Sequence, residues 1–253
     1  MDTTGTDIAT AIAAGTGAVE AAGAAAVKPG RGMPGDEAHG RPEAPAAGAL
    51  REISAATLAY YERNAEAFWL GTREHDVAQN VAALLGHIEA PPPCAILDFG
   101  CGPGRDLKTF SALGHRAVGV EGASRFAAMA REYSGCPVWE QDFLALDLPA
   151  ARFDGVFANA ALFHVPAAAL PRVLAQLHAT LKPRGVLFSS NPRGDDEEGW
   201  QAGRYGAYYR PETWCRHLVG AGFIEIERFY RPAGLPRAQQ PWFASVWRKP
   251  ARD

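Results

Sequence analysis

The sequence predicts an α/β domain, a mostly parallel sheet with helices on both faces and an antiparallel last strand. Three observations predict it. Short apolar runs alternate with helical periods across residues 95–190. Within that stretch, one strand-to-helix turn carries three glycines at alternate positions. Near the end, two strand-like runs follow one another with nothing helical between them.

Composition sets the bounds. The chain has 253 residues, 47% hydrophobic and 21% charged, which suits one large globular domain or two small ones. A formal net charge of −3 gives no overall footprint for duplex DNA or an anionic membrane, though a local basic groove stays open. No apolar stretch reaches the roughly 20 residues of a membrane span. Cys94, Cys101, Cys136 and Cys215 form no C-x-x-C pair, so they read as free thiols in a reducing compartment.

The first 50 residues hold 15 alanines and 9 glycines, and no aromatic precedes Tyr60. Such a tract buries too little to offset its chain entropy, so residues 1–50 read as a disordered extension. The start MDTTGTD lacks the basic region of a signal peptide, and the expected location is the cytoplasm.

Residues 51–70 read as helical, with an aromatic end of Tyr60, Tyr61, Phe68 and Trp69. Asp76 is placed to cap a helix bearing Val77, Val81, Leu84, Leu85 and Ile88, stopped by three prolines at 91–93. Strands follow at 95–99, 116–120, 137–140, 153–158 and 185–190. Between them Leu107, Phe110 and Leu113 mark one helix. Phe126, Met129 and Tyr133 mark another, with Ser124 as its N-cap. Leu170, Val173, Leu174, Leu177 and Leu181 mark a third. A helix around Trp214 ends at Gly220 and Gly222, and the runs 223–230 and 241–249 form the closing antiparallel pair. The helical segment 51–90 is thus set apart from an α/β unit at 91–253.

The segment ILDFGCGPGRD (96–106) carries most information. A buried strand ends near Asp98, and Gly100, Gly102 and Gly104 follow before a helix begins. Glycines there let the backbone turn sharply and let a ligand approach the main chain. The spacing is G-x-G-x-G, not the dinucleotide G-x-G-x-x-G, and an acid precedes it. An acid there repels a pyrophosphate and welcomes an amine. Glu121 follows the second strand, where an acid can accept both hydroxyls of a ribose. Asp142 follows the third, with Phe143 beside it. Each acid alone is equally at home as a cap or turn former; one after each of three successive strands is a constellation.

On these motifs the chain resembles the class I S-adenosylmethionine-dependent methyltransferases over residues 95–249. DFGCGPG, VEGAS, QDF, FDGVFANAALFHVP and LKPRGVLFSS each look like a family segment. The resemblance implies a Rossmann-like, doubly wound sheet of seven strands with an antiparallel last strand, and an N-terminal helical lid. It implies that Gly100, Cys101, Gly102 and Gly104 pass under the methionyl part of S-adenosyl-L-methionine, with Asp98 near its ammonium. Glu121 and Gly122 would hold the ribose, Asp142 and Phe143 the adenine, and Asn159 would lie beside the sulfonium. Cysteine is common in that loop, so Cys101 is not read as a nucleophile.

A sulfonium methyl needs an in-line nucleophile and exclusion of water, with removal of any proton the nucleophile carries. No metal is required, and the histidines are scattered without ligand spacing. His164, just after the fourth strand, is the candidate base or orienting donor; a packed capping histidine is its plain reading. Two polar-aromatic clusters flank the core. In 60–80, Tyr60, Tyr61, Trp69 and Arg73 are proposed to close over the ligand, Arg73 facing a carboxylate. In 191–209, read as a long loop, Arg193, Arg204 and Tyr205 are proposed to cover the substrate, the arginines pairing an anionic group.

The expected function is methyl transfer to a small molecule, without nucleic-acid or membrane partner and with the oligomeric state open. The alternatives are an RNA or protein methyltransferase, or a cofactor-binding protein without turnover. A nicotinamide oxidoreductase is disfavoured by the glycine spacing and Asp98. The fourth strand reads NAAL and not N-P-P-Y/F, which lowers the prior for a nucleic-acid base as acceptor.

Overall fold

The computed structural model describes residues 47–251. The expected disorder of residues 1–50 falls outside the described residues for 1–46. Residues 47–50 are instead the first turn of a helix, α1 (Ala47–Arg63), built from good helix formers. The single helix expected over 51–70 is two. Asn64 ends the first by bonding its side-chain amide to the Tyr60 carbonyl at 2.7 Å, and α2 (Ala65–Thr72) follows. Next comes α3 (Ala78–Leu85), whose N-cap is Val77 and not the expected Asp76; Asp76 stands one residue earlier, its carboxylate accepting from the Ala78 amide at 2.9 Å.

Then strand and helix alternate as the sequence predicts: β1 (Ala95–Phe99), α4 (Arg105–Ala112), β2 (Arg116–Glu121), α5 (Ser124–Ser134), β3 (Val138–Glu140), β4 (Phe153–Asn159), α6 (Leu170–Thr180) and β5 (Leu181–Pro192). A hairpin of β6 (Glu197–Gln201) and β7 (Arg204–Tyr208) comes next. The chain closes with α7 (Pro211–Gly220), β8 (Ile224–Arg231) and β9 (Trp242–Arg248).

The seven-stranded sheet has the order β3-β2-β1-β4-β5-β9-β8. Strands β1 to β5 are parallel, and β9 runs antiparallel to both β5 and β8. Strand order reverses at the β1–β4 boundary, so a crevice opens outside the carboxyl ends there. Side chains alternate between two cores, as a period of two requires. Leu97, Phe99, Val156 and Leu187 face Leu174, Leu177 and Trp214. Ile96, Phe157, Val186 and Phe188 face Val81, Leu84, Leu107 and Phe110. Trp214 is buried with its indole N–H donating to Ser189 Oγ at 3.1 Å.

Two expectations need correction. The long loop at 191–209 is largely the β6–β7 hairpin, whose turn residues Ala202 and Gly203 both have positive φ, 49° and 85°. That backbone matches the right-handed twist of the paired strands. Ser124 is not an N-cap: its hydroxyl bonds Glu140, while the carboxylate of Glu121 takes the Ala123 amide at the helix start.

Candidate active site

The glycine loop is pinned at both ends. The amides of Gly100 and Cys101 donate to the Val120 carbonyl at 2.8 and 3.2 Å. At the far end Gly104 has φ +95°, and a Cβ on it would lie 2.8 Å from the Ala130 backbone, so α4 and α5 close on glycine alone. The middle is open. A Cβ on Gly102 would meet only a Phe68 ring carbon, at 3.9 Å. The Cys101 side chain turns under the sheet beside Gly119, and burial raises its thiol well above the usual range, so it stays protonated and unreactive.

The three strand-end acids differ in state. Asp98 is buried and its Oδ2 has no partner; burial, then the neighbouring Asp106 charge, pushes its carboxyl well upward. Glu121 accepts the amides of Gly102 and Ala123, both at 2.9 Å. Burial still outweighs those bonds and lifts it from 4.5 to about 7. Asp142 accepts from the Leu144 amide and from Ser54 of α1, both at 2.8 Å. The Phe143 ring stacks on Phe99 at 4.2 Å between centroids.

Of these groups Glu121, Asp142 and Phe143, but not Asp98 or Phe99, border a cleft of about 680 Å³, its open mouth included. Gly100, Gly102, Glu121, Asp142 and Phe143 line its floor. Ser54, Thr57, Leu58 and Tyr61 of α1 line its roof, with Phe68 of α2. His164, on a single 3-10 turn after β4, forms the end wall. Tyr61 and His164 Nε2 are 2.6 Å apart, and His164 Nδ1 lies 2.7 Å from the Tyr205 carbonyl. A carbonyl only accepts, so Nδ1 carries the proton and the Tyr61 hydroxyl donates to Nε2. Enclosure lowers His164 from 6.5 to about 4, the Tyr205 carbonyl opposing and the Arg204 charge adding to the drop. Burial raises the Tyr61 phenol, so both partners are neutral at pH 7.

Beside the cleft runs a second polar chain. Arg105 grips Asp106 with two bonds of 2.7 and 2.9 Å and donates to the Thr72 carbonyl at 2.9 Å. Asn159 donates to Asp106 at 3.2 Å and accepts from Asn80 at 3.0 Å. Asn159 therefore serves this network and does not line the cleft.

Of the residues proposed as cover, the structure brings Tyr61 to the cleft. Tyr205 contributes through its backbone: its carbonyl holds His164 and its N–H meets Thr57 Oγ1 at 3.1 Å. Tyr60 and Arg204 stand just behind, the guanidinium carbon 5.6 Å from the Tyr60 ring centre. Three others are elsewhere. Trp69 packs on Tyr133, Arg73 pairs with Glu74 at 3.3 Å, and Arg193 bonds the Arg237 carbonyl at 3.2 Å over the Tyr230 ring. Gly122 lies under α1, where a Cβ would meet Leu58 at 2.7 Å. Sequence reasoning missed Ser54, Thr57 and Leu58 because they look like ordinary helix positions. Phe68 stood in the aromatic cluster but was given no role.

Among the described residues no group of three His, Cys, Asp or Glu side chains could hold a metal ion. No described helix is long and apolar enough to cross a membrane. Residues 96–185 match a methyltransferase domain. The chain is 32% identical over 145 residues to trans-aconitate 2-methyltransferase of Azoarcus sp. (strain BH72), covering 56% of this chain and 54% of that one. It is 29% identical over 216 residues to sterol 24-C-methyltransferase of Yarrowia lipolytica, covering 75% and 53%. The chain thus spans about half the length of these curated relatives. Among solved structures it resembles the 1,6-didemethyltoxoflavin-N1-methyltransferase of Burkholderia thailandensis, crystallised with 1,6-didemethyltoxoflavin and S-adenosylhomocysteine. That likeness has a TM-score of 0.66 at 25% identity and covers 82% of this chain and 93% of the other. With the strand order, the glycine turn and an acid after each of the first three strands, these matches identify residues 96–185 as a methyltransferase domain of the class I, S-adenosylmethionine-dependent kind.

Proposed function

We propose that the chain transfers a methyl group from S-adenosylmethionine to a small molecule held beneath α1 and the β6–β7 hairpin. The observation that carries this reading is the Tyr61–His164 bond, which joins the helical roof to the end of β4 and encloses the cleft. The trans-aconitate and 1,6-didemethyltoxoflavin methyltransferases support a compact acceptor. In this reading residues 51–90 are the lid and 91–253 the transferase domain. A reducing cytoplasm suits the four free cysteines.

The residues present fit the cofactor. Asp98 Oδ2 is a buried acceptor with no partner, which an ammonium would satisfy. Gly102 leaves open space above the loop. Glu121 and Asp142 offer carboxylate oxygens for ribose and adenine, and Phe143 offers an apolar face. When bound, S-adenosylmethionine supplies a methyl group already activated on a sulfonium. The chain's own part is to exclude water with Leu58 and Phe68, and to orient the acceptor against His164. An acceptor that carries a proton on its nucleophile gives it to the Tyr61 oxygen as the Tyr61 hydroxyl proton passes to His164 Nε2, while Nδ1–H stays on the Tyr205 carbonyl.

Label transfer from methyl-labelled S-adenosylmethionine tests this reading. Purified protein is mixed with a bacterial extract split by ultrafiltration. Label in the small fraction is the expected result. Label only in macromolecules would replace it with RNA or protein methylation. Label in neither, with S-adenosylhomocysteine still bound, would leave a binder without turnover.

A further inference from the structure

Resting on the small-molecule reading above, we infer that Arg204 anchors a carboxylate-bearing substrate at the hairpin end of the cleft. Arg204 opens β7, opposite Gln201 across the hairpin turn. Its guanidinium stands over Tyr60, next to the Tyr61 that roofs the cleft. The following residue, Tyr205, holds His164 through its carbonyl. Arg204 does not itself line the cleft; it stands behind Tyr60 and beside Tyr205, on the side where roof, hairpin and end wall meet.

The guanidinium has no counter-ion there. Nε of Arg204 is buried without a hydrogen-bond partner, and no carboxylate among the described residues comes within ion-pair distance. Other arginines are engaged: Arg105 on Asp106, Arg125 on Glu66, Arg210 on Asp195, Arg231 on the Asp76 carbonyl. A buried donor left unpaired costs stability, and nothing in the described chain repays it. A planar fork of donors beside a cleft matches a carboxylate, which takes two parallel bonds from it. The Tyr60 ring, 5.6 Å from the guanidinium carbon, attracts the charge without consuming its donors. Arg193, the other arginine proposed from the sequence for this role, is committed to the chain's tail and drops out.

The position also couples binding to chemistry. The charge of Arg204 acts on His164 and Tyr61 and disfavours a protonated imidazole. A bound carboxylate cancels that charge, so His164 becomes a better base when the substrate is in place.

The test uses the full chain and the small-metabolite extract, passed over an anion-exchange resin. Label should be accepted from the retained, anionic fraction and not from the unbound one. Phosphatase treatment of the retained fraction should leave the label unchanged, which separates carboxylates from phosphate esters. Arg204→Gln should raise the half-saturating amount of that fraction about tenfold or more, with a smaller effect on the limiting rate. Arg204→Lys keeps the charge without the fork and should fall between; it also serves if Arg204→Gln does not fold. Label taken from the unbound fraction, label lost after phosphatase, or an unchanged half-saturation in the variant that folds would each overturn the proposal. Label found only in macromolecules would instead remove the small-molecule reading, and this inference with it.

Discussion

The hydroxyl of Tyr61 donates to Nε2 of His164 across 2.6 Å, and that one bond ties the N-terminal helix to the end of β4. Because the Tyr205 carbonyl holds Nδ1–H at 2.7 Å, the ring cannot flip to another tautomer without losing a partner. Tyr61→Phe keeps the ring contacts with Phe68 and Phe126 but leaves Nε2 facing the wall unpaired. We expect a stability loss of about 1–2 kcal/mol by denaturant unfolding. Methyl transfer should slow more than S-adenosylhomocysteine binding weakens. In a double-mutant cycle with His164→Ala, the two losses should fall well short of adding. Full additivity would mean that the two side chains do not act as a unit.

His164 also sets a limit on acid stability. Its folded value, about 4, is below the unfolded 6.5, so the native state binds fewer protons between those values. Its contribution is present above pH 6.5 and is lost as pH falls towards about 4. His164→Asn removes the titrating group. The stability of the variant should vary less with pH over that window than the wild type, read from urea midpoints. Parallel curves would mean that His164 titrates normally and is open to water.

Glu121 behaves in the opposite sense. Its folded value, about 7, is above the ordinary 4.5. The stability tied to it is present below pH 4.5 and declines as pH rises through about 7, where a charge is forced into a buried site. A ligand that donates hydroxyls to this carboxylate favours the ionised form. S-adenosylhomocysteine should therefore bind with release of a proton near pH 6, and affinity should fall about tenfold per pH unit below 7. Calorimetry in two buffers of different ionisation enthalpy reads the proton directly. No release would place Glu121 away from the ligand.

Gly104 and Gly114 form a controlled pair. Both have positive φ, +95° and +81°, but only Gly104 faces a neighbour, the Ala130 backbone. Gly114→Ala should cost about 1 kcal/mol, the price of the backbone conformation alone. Gly104→Ala adds a collision between α4 and α5 and should cost clearly more, about 3 kcal/mol or outright failure to fold. Equal losses in thermal unfolding would show that the two helices can part without penalty.

The floor of the cleft was legible in the sequence because local chemistry dictates it. Three alternate glycines and an acid after each strand are short-range signals, and the strand register carries them to one edge. The roof was not legible, because Ser54, Thr57 and Leu58 become site residues only when α1 folds across the sheet. Ser54 meets Asp142 from 88 positions away. The β6–β7 hairpin was hidden for another reason. Its turn is Ala-Gly, weaker than the Asn-Gly that usually marks such a bend, and the acid run at 195–198 reads as a solvated loop. Ser124 was mistaken for a cap because Glu121, three residues upstream, already fills that place from the end of a strand. Asp106, at the end of the glycine segment, carries no local signal of its role. Its partner Asn159 lies 53 positions off, and Asn80, which donates to Asn159, lies 79 positions from it, beyond any local pattern.

That last network gives a prediction of its own. Arg105 bridges both oxygens of Asp106 and the carbonyl that ends α2, so one guanidinium fixes an acid and a lid helix together. Asp106 is buried, and removing its partner leaves a charge that Asn159 alone cannot satisfy. Arg105→Gln should cost about 3 kcal/mol. It should also speed amide hydrogen exchange at the end of α2, since the Thr72 carbonyl loses its donor. Arg105→Lys tests geometry against charge. A lysine is a point cation on a flexible stem and cannot make the three bonds at once, so it should recover a minor part of the stability and little of the exchange protection. If Arg105→Lys matches the wild type in both, the site needs only a positive charge, and the fork is not what holds the lid to the glycine loop.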